Sequence, residues 1–164
     1  MNPLTHDLAR AALIGAGATA VMDLWLLLLR RLQVPTLNFG FIGRWAGHLL
    51  RGRWAHASIA KAQPVPGEVA LGWAVHYLVG IAFAGILLAL YGTAWAQDPT
   101  PGPALAVGLG SVVAPLFILQ PAMGAGLASR RTPTPVRNVL RSLANHAVFG
   151  VGLYVAAVAV DLAG

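Results

Sequence analysis

Four apolar stretches, at about residues 8–32, 68–90, 104–126 and 139–162, each come close to the ~20 residues that a helix needs to cross a ~30 Å hydrocarbon core. No water is available there to satisfy backbone N–H and C=O groups, so a spanning segment has to be a helix or part of a closed barrel. The stretches are long and apolar on all sides, and none alternates with a period of two, so the predicted fold is an all-α integral membrane protein. They occupy most of the 164 residues and leave one transmembrane domain over 1–164. Only 10% of residues are charged, far from the roughly one quarter typical of soluble domains.

Breakers and charges locate the ends. The first span stops at Arg30 and Arg31, with Pro35 just beyond. The segment before it has no basic run and carries Asp7, unlike a cleaved leader, so this first stretch is read as a retained helix. Trp73, Tyr91 and Trp95 fall near the ends of the second span, where amphipathic rings favour the headgroup region. Pro115 and Pro121 remove backbone donors from the third and should kink or break it.

The net charge of +6 and a pI near 11.2 would fit a nucleic-acid binder, but the distribution does not. Arg30, Arg31, Arg44, Arg51, Arg53 and Lys61 belong to the first connection, and Arg130, Arg131, Arg137 and Arg141 to the third, leaving only Arg10 elsewhere. No basic stripe interleaved with stacking aromatics is formed, and no nucleic-acid partner is expected. The positive-inside rule instead puts both basic connections in the cytoplasm and both termini outside. The first connection, 33–66, also holds Phe39, Phe41, Trp45 and Trp54. Trp45 and Leu49 share one side at helical spacing while Arg44, His48 and Arg51 share another, as in a helix lying in the interface plane.

The chain carries hints of an internal repeat. His76 and Gly80 recur as His146 and Gly150, and Gly15 with Gly17 echo Gly108 with Gly110, which would relate two helical hairpins by an axis along the membrane normal. Cysteine is absent, which excludes disulfides, thiolate metal sites and Cys nucleophiles. A nucleophile elbow, a zinc-protease helix motif and a phosphate loop are all missing, so no enzyme activity is indicated.

Chemistry concentrates in the cytoplasmic half of the spans. At ~1.5 Å per residue, Asp23, His76 and His146 lie roughly 8–12 Å inside their helix ends, and Gln120 and Asn145 fall in the same half. A charged Asp at the bilayer centre costs about 2.5–3.5 kcal/mol on insertion scales, so such groups should face protein. Spacing by four sets Gly15, Thr19 and Asp23 on one stripe, Gly72, His76, Gly80 and Ala84 on another, and Ser142, His146 and Gly150 on a third. Small residues on these stripes let helices approach closely.

Two uses compete for this cluster. It can be interhelical hydrogen-bond glue in a structural or accessory subunit, or a site for a proton or small cation in linked transport of a small solute or ion. Asp23 with the two imidazoles would also make an oxygen and nitrogen set for a divalent metal. A third reading is a redox protein with haem between His76 and His146, disfavoured by the polar groups nearby. His48 and His56 have no ligand partner at helical spacing and are expected to be solvated or interfacial. Four helices barely enclose a pathway, which suggests a homodimer in the lipid bilayer.

The runs GAGATAVMDLW (15–25), GRWAGH (43–48), GWAVHY (72–77), QPAMGAG (120–126), RTPTPVRN and NHAVFGVGLY together resemble domain-of-unknown-function family 2938. The resemblance covers nearly the whole chain. It implies a small, multi-pass protein of the bacterial inner membrane with no assigned activity, and it carries no site residues or cofactor.

Overall fold

A computed structural model describes residues 3–163, all helix, turn or loop, with no strand among the described residues. Five main helices follow in order: α1 (Pro3–Arg31), α2 (Phe39–Leu49), α3 (Glu68–Tyr91), α4 (Pro101–Ala122) and α5 (Pro135–Ala163). All but α2 are long and apolar enough to cross a membrane. Large apolar side chains such as Leu24 and Leu28 on α1, and Leu78 and Ile86 on α3, are exposed. An apolar exterior of this kind is a liability in water and neutral in lipid.

The helix boundaries depart from expectation where proline and glycine act. Pro101 and Pro135 start α4 and α5 earlier than expected, at positions where a missing N–H costs nothing. The third span ends at Ala122 rather than near 126, because Gly124 and Gly126 take positive φ values of 96° and 74° that end the helix. The α-helical ladder of α4 is interrupted before Pro115, as expected: regular α-helix ends at Gly110, Ser111 and Val112 form a turn, and the chain continues as a π-helix over Ala114–Leu119, where the Gln120 N–H donates to the carbonyl of Pro115.

The chain forms two compact units. Unit one contains the residues up to Pro35, Tyr77–Ser111, and Asn145 onward; unit two contains Thr36–His76 and Val112–Ala144. Unit one is a helical bundle whose core includes Ile14, Ala18, Ala84, Leu87, Val107, Phe149, Leu153 and Ala157. Small residues set its spacing. A Cβ on Gly80 would strike the Thr19 hydroxyl, and one on Gly15 would strike the backbone of Ile81, so α1 and α3 touch along the Gly15–Thr19 stripe. Gly108 and Gly150 play the same part between α4 and α5, and Gly152 lets α5 approach Ala18 of α1. Trp95 is buried in this core, with Nε1 donating to the carbonyl of Thr100 at 3.2 Å.

Unit two is organised around α2. Two residues of the side expected to be solvated point into the protein: Arg44 and His48 are buried, while Arg51, past the helix end, is exposed, as are Leu49 and Leu50. Close approach explains the reversal. A Cβ on Gly43 would overlap the backbone of Glu68 and Gly72, and one on Gly72 would overlap the carbonyl of Phe39, so α2 and the start of α3 cross nearly backbone to backbone. Arg44 is then carried inward with enough acceptors to satisfy it. Its Nε and Nη2 donate to Glu68 Oε2 and Oε1 at 2.8 and 2.7 Å, and Nη1 donates to the carbonyls of Ile59, Ala60 and Ala62.

Candidate functional site

In unit one the polar residues of the spans form pairs between helices. Asp23, on α1, accepts a hydrogen bond from the Tyr77 hydroxyl on α3 at 2.9 Å. Two residues along α1, the Trp25 indole N–H donates to Asn145 Oδ1 on α5 at 2.9 Å. Ser111 Oγ, on α4, lies 2.6 Å from His146 Nδ1 on α5 and 2.6 Å from the carbonyl of Gly108. A serine hydroxyl has one proton, and a carbonyl can only accept. With that proton given to Gly108, the second contact requires His146 Nδ1–H to donate to Ser111, which leaves Nε2 with the lone pair.

One member of each of two pairs, Asp23 and His146, lies on a stripe read from the sequence; Tyr77, Ser111, Trp25 and Asn145 do not. Gly15 and Thr19 contact the Gly80–Ile81 backbone, and one turn further Asp23 meets Tyr77. Gly150 contacts Gly108, and one turn away His146 meets Ser111. The small residues bring the backbones together, and the polar side chains then close the remaining distance. Thr19 instead bonds along its own helix, its hydroxyl donating to the carbonyl of Gly15 at 2.7 Å.

The other expected site residues belong to unit two and have partners there. His76 packs its ring against Phe39 at 4.5 Å and Trp73 at 5.9 Å between centroids. Gln120 accepts a hydrogen bond from the Ser129 hydroxyl at 2.9 Å, which ties the end of α4 to the turn after it. Among the described residues no group of three or more His, Asp or Glu side chains could hold a metal ion.

Sequence reasoning singled out none of Tyr77, Trp25, Ser111 and Ser129 as site residues. A usable signal existed for Tyr77: a phenol nine residues into an apolar span is away from the aromatic belt and needs a polar partner. His48 and His56 were expected to be solvated or interfacial; the solvated position is overturned, since both are buried at 7% and 6% exposure. The close packing of α2 carries His48 inward. The chain from His56 to Ile59 follows the end of α4, with His56 N–H donating to the carbonyl of Ala122 and Ile59 N–H to that of Met123.

A family profile described as "Protein of unknown function (DUF2938)" matches residues 12–160. No curated protein and no solved structure matches the chain. With the profile spanning nearly the whole sequence, the chain belongs to the DUF2938 family.

Proposed function

We propose that this protein is a small bacterial inner-membrane carrier that moves a small solute or ion linked to protons or cations, with Asp23 as its proton-handling group. The observation that carries this reading is the Tyr77–Asp23 hydrogen bond within the apolar spans of α1 and α3. A carboxyl group is costly there and is retained most readily where its protonation is used. A phenol is a suitable partner because its hydroxyl donates to the ionised carboxylate and, by rotating, accepts from the protonated one. The Ser111–His146 pair supplies a second titratable position in the same unit. The basic connections would lie in the cytoplasm with both termini outside. The Gly15–Gly80 and Gly108–Gly150 approaches support a repeat of two hairpins, and a homodimer would complete a pathway.

A structural or accessory subunit is the second reading, favoured by a different observation. The three polar bonds join α1 to α3, α1 to α5 and α4 to α5, as expected of glue. Proteoliposomes carrying a pH-sensitive dye separate the two. Under the carrier reading, Asp23→Asn abolishes proton flux while thermal stability in detergent stays near that of the wild type, and Tyr77→Phe shifts the pH at which flux is half-maximal. Wild-type liposomes no leakier than empty ones, together with lower stability in Asp23→Asn, would leave the structural reading standing.

A further inference from the structure

In unit two, His48 in the last turn of α2 and His56 in the extended stretch beyond it bring their rings to 4.8 Å between centroids, with the planes at 83°. Both are buried, in a connection whose arginines Arg51 and Arg53 are exposed. His48 Nε2 lies 2.9 Å from the carbonyl oxygen of Gln63. A carbonyl only accepts, so Nε2 carries the proton and Nδ1 keeps the lone pair. His56 is in a different position. Its backbone is fixed by Ala122, yet neither Nδ1 nor Nε2 has a hydrogen-bond partner among the described residues. A neutral imidazole carries one N–H and one lone pair, and leaving a buried polar group unpaired costs about 1–3 kcal/mol. Such a group needs a specific reason, and a bound ion is one.

We propose that His48 and His56 form a two-nitrogen site for a first-row transition ion of the zinc class, its remaining positions open to water or a small exogenous ligand. Two imidazoles that ligate one ion at about 2.0–2.1 Å hold their ring centres roughly 5 Å apart, the spacing these rings have. The Gln63 carbonyl on the far nitrogen of His48 is the kind of outer partner that fixes the tautomer of a metal-bound imidazole. The support is firm: the backbone of His56 and Ile59 is bonded to Ala122 and Met123, and Gly124 gives the clearance, since a Cβ there would strike the carbonyl of Ala57. Two protein donors make an exchangeable site, unlike a closed structural one.

The test uses the purified full-length chain in detergent, stripped with a chelator, titrated with Zn(II) by calorimetry and with Co(II) by visible absorption. One ion per chain is expected, with d–d bands of a low-coordinate cobalt centre and a rise in melting temperature on Zn(II) addition. His48→Ala and His56→Ala should each weaken binding by at least about tenfold. His56→Gln, which keeps a polar side chain of similar size, should do the same if the alanine variant fails to fold. Asp23→Asn should bind as the wild type does, so the result is independent of the fate of the carrier reading. Wild-type protein that binds neither ion, or folded His56 variants that bind with unchanged stoichiometry and affinity, would overturn the proposal.

Discussion

Arg44 holds Glu68 through two parallel hydrogen bonds, at 2.8 and 2.7 Å, with the side chains of both residues largely buried. The third guanidinium nitrogen gathers the carbonyls of Ile59, Ala60 and Ala62, and Glu68 accepts from the Val65 N–H as well. One ion pair thus joins α2, the turn at 59–62 and the first residue of α3. The carboxylate, chiefly through its hydrogen bonds, holds the Arg44 pKa above its usual value.

Removing one member of this pair leaves the other buried and unpaired. Arg44→Ala is expected to destabilise the protein by about 3 kcal/mol, read as a fall in melting temperature in detergent. Arg44→Lys should recover only part of it, because an ammonium restores the charge without the planar fork that matches a carboxylate. Full rescue by lysine would show that charge alone matters at this position.

The α1–α3 crossing depends on the missing side chain at Gly80. Gly80→Val places methyl groups where the Thr19 hydroxyl stands, and should yield protein that aggregates or melts far below the wild type. Gly85, on the same helix, has open space within 4 Å of the point a Cβ would occupy. Gly85→Ala should therefore be neutral or slightly stabilising, by less than about 1 kcal/mol. Size-exclusion profiles and melting curves of the two variants check the contrast.

Stability should fall in mild acid through His56. Burial, then the charges of His48 and Arg53, lower its folded pKa below the ordinary 6.5. Between those two values the unfolded chain binds the proton and the folded chain does not, so stability decreases as pH drops below about 6.5. Metal-free protein is expected to melt lower at pH 5.5 than at pH 7.5, and His56→Phe should flatten that dependence. An unchanged slope in the variant would assign the effect to other groups.

The Trp25–Asn145 bond gives a direct measure of interhelical polar glue in this bundle. A double-mutant cycle with Trp25→Phe and Asn145→Leu should return a coupling of about 0.6 kcal/mol, the average for hydrogen bonds between membrane helices. A value several times larger would mean that the pair is part of a wider network.

The four long helices were legible because their signal is additive: about twenty apolar residues in a row overwhelm any local preference. The stripes Gly15–Thr19–Asp23 and His146–Gly150 were legible for a similar reason, since helical periodicity fixes which residues share a side. Which residue stands opposite was not legible. Nothing local in Asp23 points to Tyr77, 54 residues on, or in Ser111 to His146. The orientation of α2 was misread because arginine and histidine ordinarily face water, and only a carboxylate at Glu68 with three carbonyls nearby makes burial of Arg44 tolerable.

By itself the sequence determined the solvent this chain folds in, the number of its spanning helices and the faces they turn toward one another, because hydropathy and helical period are properties of consecutive residues. The tertiary structure decided the pairings: Asp23 with Tyr77, Arg44 with Glu68, and His48 beside His56. A hydrogen bond or ion pair depends on where two distant backbones are brought, and glycine crossings such as Gly15 with Gly80 and Gly43 with Gly72 set that distance only once the helices have packed.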